Sequence, residues 1–173
     1  MAYNCVEIDA PPAAVFAVLV DPRTYPRWLI GAHEIRSIDA DWPQPGSHFH
    51  HRVGVGPFTI PDSSKVLELT PGERLRLAVR ARPLISAVAT FTIIGDERHT
   101  LVTLEEEPAQ RLVGNLVRPV MDPITHVRNQ RSLRKLVEVV RSRALPAGPG
   151  PSARLEHGDG GVEARHAHPA RPR

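Results

Sequence analysis

The sequence has one cysteine, Cys5, in 173 residues, so an intramolecular disulfide is excluded and the fold must be held by its core alone. It has no run approaching the roughly 18 apolar residues that a membrane span needs, and its start lacks the basic stretch and apolar segment of a secretory signal. The expectation is a soluble, cytoplasmic protein. Lysine is scarce as well: Lys65 and Lys135 are its only occurrences, and arginine supplies the rest of the 22 basic side chains. With abundant Ala, Val and Pro, this usage resembles the bias of a GC-rich bacterial genome, an association and not a mechanism. The formal net charge of +3 is too small to argue for nucleic acid. Neither a G-x-S-x-G elbow nor a glycine-rich nucleotide loop is present, and no cofactor is expected.

What is there divides at about residue 145. From Pro146 the chain reads PAGPGPSARLEHGDGGVEARHAHPARPR, almost without large apolar residues, which cannot offset the entropy of ordering. Residues 1–145 are predicted to form one domain and 146–173 a disordered tail.

Within the domain the periodicity changes in order. Residues 3–9 alternate, with Val6 and Ile8 on one face and Tyr3, Cys5, Glu7 and Asp9 on the other, as in a half-exposed strand. PPAAVFAVLVD then starts a helix after proline, and the two prolines of DPRTYPRWL (21–29) allow only a short second helix. Six further strands are predicted at 33–42, 47–56, 62–70, 74–82, 85–94 and 100–107, punctuated by turn residues. Loops this short join antiparallel neighbours, because parallel pairing needs long crossovers. Residues 74–82 show why the sheet needs a cover: Leu75, Leu77, Val79 and Ala81 alternate with Arg74, Arg76, Arg80 and Arg82 around one apolar face.

The cover is a long last helix, read from an Asp122 cap with Pro123 in its first turn. Spacing puts His126, Asn129, Leu133, Leu136 and Val140 on one side, widened by Val137. Arg128, Arg131, Arg134, Lys135, Glu138 and Arg141 fall on the other. Eight basic residues between 111 and 143, with Arg111, Arg118 and Arg143 completing the set, form a face suited to solvent or to transient contact with an anionic membrane surface.

Strand, two short helices, six-strand meander and long helix, together with the words IDAPPAAVFAVLVDPRTYPRW, GSHFHHRVGVGPF, VTLEEEP and RNQRSLRKL, resemble the helix-grip fold of the START-like (SRPBCC) superfamily. The nearest subgroup is the bacterial polyketide cyclase/dehydrase-like one, and the resemblance covers about residues 3–143. It implies an α+β fold in which a curved seven-stranded antiparallel sheet wraps the C-terminal helix and leaves an elongated hydrophobic cavity. Members bind lipids, sterols, hormones or aromatic polyketides there, and some add catalysis through one or two polar groups.

Candidate residues follow from which faces turn inward. Alternation splits the histidines of HFHH: Phe49, His51, Val53 and Val55 look inward, while His48, His50 and Arg52 look out. The split and the absence of a carboxylate or cysteine at ligand spacing argue against a metal site, and His157, His166 and His168 in the tail would bind metal only adventitiously. His51 is then either an acid/base group near neutrality or a space-filling, hydrogen-bonded ring. His126 and Asn129 interrupt an apolar helix face, so they either fix a ligand's polar end or meet water and a loop backbone. Glu106 shares parity with Val102 and Leu104 and, if buried, needs an Arg or His partner or a proton. Trp28, Phe49, Val53, Phe58, Val79, Phe91 and Leu133 are expected to line the space, with Phe16 in the core. Three readings stand: a binding module for a hydrophobic small molecule; a cyclase or dehydratase using His51, Glu106, His126 and Asn129 in acid/base chemistry; and an interaction protein with a collapsed cavity. The oligomeric state is not specified.

Overall fold

A computed structural model describes residues 2–81, 85–108 and 111–144. Among them the chain runs β1 (Ala2–Ile8), α1 (Pro12–Leu19), a single 3-10 turn (Pro22–Thr24), α2 (Tyr25–Trp28), β2 (Ala32–Ile38), β3 (His48–Val55), β4 (Phe58–Thr70), β5 (Arg74–Ala81), β6 (Ile85–Gly95), β7 (Thr100–Pro108) and α3 (Arg111–Ala144). The strands form one antiparallel sheet in the order β1-β7-β6-β5-β4-β3-β2. This is the meander expected of short loops, with β1 closing it against β7. The tail predicted at 146–173 lies outside the described residues.

The segment between the first strand and the meander is fixed by side chains that bond the backbone they follow. Asp21 accepts from Arg23 N at 3.1 Å and starts the 3-10 turn. Thr24 Oγ1 donates to the Val18 carbonyl, Tyr25 OH to the Leu19 carbonyl and Trp28 Nε1 to Thr24 Oγ1, at 2.9, 2.8 and 3.0 Å. Each of these polar groups is buried and satisfied, so two large aromatics enter the core without an unpaired donor.

Three boundaries differ from the sequence reading. The second strand stops at Ile38 rather than 42, because Asp39–Trp42 turns back: Trp42 N donates to Asp39 O at 3.1 Å and its indole to Val20 O at 2.7 Å. The fourth strand starts at Phe58 rather than 62, since Gly56 (φ +55°) and Pro57 close a two-residue hairpin that pairs Val55 with Phe58. Gly54 makes this possible. A Cβ there would overlap the Phe58 carbonyl and come within 2.8 Å of Thr59 Cα. The last helix begins at Arg111, not at an Asp122 cap, and passes through Pro119 and Pro123. A proline inside a helix removes one bond and costs about 3 kcal/mol locally, a penalty this helix absorbs rather than ending.

Among the described side chains of α3 the buried stripe is Asn129, Ser132, Leu133, Leu136, Val139 and Val140, and the helix packs against β1, β7, α1 and α2. Leu133, Leu136 and Val140 join Trp28, Leu75, Leu77, Phe91 and Leu104 in one apolar cluster. On β5 Leu75 and Leu77 are buried, whereas Arg74 and Arg80 are exposed, as the alternation requires.

Candidate functional site

The concave face of the sheet carries two polar groups set in apolar surroundings. The first is on β3 and β4. His51 pairs across the strands with Asp62, and both side chains are almost fully buried, 3% and 4% exposed. His51 Nε2 lies 3.3 Å from Ser64 Oγ and 3.9 Å from Asp62 Oδ2. Its ring tilts against Phe49 at a centroid distance of 4.9 Å. Its Nδ1 is buried without a hydrogen-bond partner among the described residues. Burial, and secondarily the neighbouring His50, push the imidazole from its usual 6.5 down to about 4, so the ring is neutral near pH 7.

The second group joins β7 to α3. Glu106 shares the buried side with Val102 and Leu104, and its Oε2 accepts from Asn129 Nδ2 at 3.0 Å and from Arg128 Nη2. Asn129 is fully buried, and its Oδ1 accepts from Arg128 Nε and Nη2 at 3.2 and 3.1 Å. All the polar atoms of the Asn129 amide side chain thus face charged partners, which is how a buried amide escapes its desolvation penalty. Helical spacing assigns Arg128 to the outer, basic side. The structure corrects this: the half-buried side chain reaches round the helix to Glu106, as a long stem with a charged head can.

Between the two groups the sheet floor joins small and half-buried residues to the buried Leu77. Ser64, Val79 and Ala87 align across β4, β5 and β6, and Leu77, Ala89 and Glu106 across β5, β6 and β7. Val53 and Val79 keep partial access. From β3 to β7 is four strand spacings, about 19 Å along the sheet at roughly 4.8 Å each.

The remaining predicted residues divide. Trp28, Phe49, Phe91 and Leu133 are buried in the core: Trp28 meets Phe91 edge-on at 6.0 Å, and Phe49 meets Tyr25 and Trp42 at 5.0 Å each. Phe16 is half-buried against the same cluster. Phe58 does not line the interior. It stands at the β3–β4 hairpin tip, 84% exposed, beside the equally exposed Val55; the pair continues the face of His51 and Asp62, but no described residue covers that face at the tip. His126 is exposed rather than inward, one turn before the buried stripe begins, and its Nδ1 is 3.1 Å from Asn4 Nδ2. Asn4, buried on β1, also donates to the His126 carbonyl and to Gln130 Oε1. Sequence reasoning missed Asn4, Asp62 and Ser64, although parity with Val6 on β1 and with Val66 on β4 was enough to turn all three inward.

The outward histidines are accounted for by neighbours. His48 Nδ1 is 3.3 Å from Asp39 Oδ2 and stacks on His50 at 6.2 Å. No group of His, Cys, Asp and Glu among the described residues is arranged to hold a metal ion. Cys5 is exposed. Of the basic helix face, Arg141 and Arg143 pair with Asp9 and Asp21 at 2.9 and 2.7 Å, whereas Arg131, Arg134 and Lys135 are exposed. The Arg111, Arg118 and Asp122 side chains lie outside the described residues. No described helix is long and apolar enough to cross a membrane. Two open surface clefts, about 460 and 300 Å3, lie by Asp21 and Trp42 and by Glu7 and His99, lined by neither His51 nor Glu106.

A family model described as polyketide cyclase / dehydrase and lipid transport matches residues 3–141. Solved structures share the fold at low identity. An aromatase/cyclase named Zhui from Streptomyces sp. R1128 is 15% identical with a TM-score of 0.68, over 85% of this chain and 96% of that one. Protein CV1439 from Chromobacterium violaceum is 20% identical with a TM-score of 0.56, over 80% and 96%. CalU16 from Micromonospora echinospora is 19% identical with a TM-score of 0.57, over 83% and 76%. No curated protein matches the chain.

Proposed function

The chain belongs to the polyketide cyclase / dehydrase and lipid transport family, and on that premise we propose that it binds a hydrophobic small molecule, a lipid or a polyketide-like aromatic, between the concave sheet face and α3. The observation that carries this reading is the pattern on that face: two buried polar groups, His51–Ser64–Asp62 and Glu106–Asn129–Arg128, separated by a floor of Val79, Ala87 and Ala89. Ligand sites of this kind are mostly apolar, with a few polar groups that fix orientation. The helix leans on β1 and β7, and on the β3–β5 part of the floor Val53 and Val79 stay half-buried.

Acid/base chemistry in the same space is the alternative. Against it stands the electrostatics of His51. An imidazole held near 4 is a weak base at neutral pH and is not present as the imidazolium that a general acid would require. Glu106 is engaged by two donors. Both groups therefore suit recognition better than proton transfer. The exposed Arg131, Arg134 and Lys135 would suit a brief encounter with an anionic membrane during loading.

Native mass spectrometry of freshly purified protein, with solvent extraction of what it carries, tests the binding reading. A stoichiometric apolar molecule supports it and names the class to try for turnover. Protein that arrives empty and also takes up no apolar probe contradicts it and favours the collapsed-cavity reading.

A further inference from the structure

His51 is held at one nitrogen only. Ser64 Oγ and Asp62 Oδ2 both lie on the Nε2 side, at 3.3 and 3.9 Å. A nearby carboxylate draws the imidazole proton to the nitrogen it faces. With the proton on Nε2, the tautomer that this carboxylate favours, Nδ1 keeps a lone pair. That lone pair is buried with no partner among the described residues, on a side chain 3% exposed. Leaving a buried acceptor unpaired is penalised, so such groups in native proteins are met by a donor from the protein, from ordered water or from a bound molecule.

We propose that His51 Nδ1 is the hydrogen-bond acceptor for a hydroxyl of the ligand, so that the class recognised is an apolar molecule with a free phenol or alcohol group. The inference rests on the binding reading above and adds its polar selectivity. A ring with its proton on Nε2 offers the ligand an acceptor and no donor. A hydroxyl satisfies that acceptor; an ether or ester oxygen at the same place meets it lone pair to lone pair. The neutral state of the ring near pH 7 keeps the acceptor available.

The test compares 2-naphthol with 2-methoxynaphthalene on the full chain at pH 7.5. They share the apolar body and differ in the O–H. Wild type is expected to prefer the naphthol by about tenfold, the scale of one buried hydrogen bond against an unpaired acceptor. In His51→Phe the preference is expected to fall to about twofold or less, with the methyl ether still bound. Equal affinities in wild type, or a preference that survives in a folded His51→Phe, overturn the inference and leave the binding reading standing. Failure of wild type to bind either compound overturns the binding reading, and the inference with it. Because the variant removes a buried ring, a second measurement uses wild type alone. Long-range proton–nitrogen spectra are expected to show His51 Nδ1 unprotonated in the free protein and shifted by 2-naphthol; an Nδ1-protonated ring contradicts the assignment.

Discussion

Asn129 on α3 donates from Nδ2 to Oε2 of Glu106 on β7 at 3.0 Å, and this bond ties the covering helix to the far side of the sheet. Asn129 is wholly buried and has Arg128 on its Oδ1, so the amide is held at both ends. Removing it leaves Glu106 with the half-exposed Arg128 alone. Asn129→Ala is expected to lose about 1–3 kcal/mol in urea unfolding, the scale of an orphaned buried partner. Asn129→Asp, nearly the same shape, sets a second carboxylate against Glu106 and is expected to lose more at pH 7 than at pH 4.

The His51–Asp62 pair gives a pH dependence whose sign follows from the imidazole. Its folded value, about 4, lies below the ordinary 6.5, so between these limits the unfolded chain binds the proton and the folded one does not. Stability from this group is full above about pH 6.5 and is lost as pH falls toward 4, by up to about 3 kcal/mol. Unfolding free energies from pH 7.5 to 4 should therefore fall more steeply for wild type than for His51→Phe. Parallel curves would assign the acid loss to other groups.

Two phenylalanines on neighbouring strands separate core from tip. Phe49 has no exposed surface and packs among Tyr25, Trp42 and His51, whereas Phe58 is 84% exposed. Phe49→Ala is expected to lose about 3–5 kcal/mol, and Phe58→Ala less than about 0.5 kcal/mol. Thermal unfolding of both variants beside wild type checks this contrast.

Period-two alternation made much of this architecture legible in the sequence. It placed Phe49 and His51 inward and His48 and His50 outward, and it set Leu75 and Leu77 against the arginines of β5. It failed where an element changed character. Phe58 keeps the parity of Asp62 and Ser64 and pairs with Val55, yet both stand at the hairpin tip, where that face is no longer covered. Pro123 looked like a helix start because a local rule weighs one lost bond and not the helix that continues through it. Arg128 looked outward because spacing fixes where Cβ points and not where a long side chain ends. Asn4, Asp62 and Ser64 obeyed the alternation but were passed over for histidines and glutamates. Their importance comes from partners 11 to 126 residues away in the chain, as Asp62–His51, Ser64–His51 and Asn4–Gln130 show.

The central claim is that the floor between the two polar groups holds an apolar ligand, and Val79 tests it most directly. It is half-buried on β5 between Ser64 and Ala87, where added bulk fills the proposed space with little need to displace the core. The measurement is equilibrium titration of wild type and Val79→Trp with an uncharged fluorescent apolar probe, N-phenyl-1-naphthylamine, with Phe58→Ala as the surface control. The account predicts saturable one-to-one binding by wild type and Phe58→Ala, and a loss of at least about tenfold in a folded Val79→Trp. Absent saturable binding by wild type, or an affinity unchanged by the tryptophan, would contradict it.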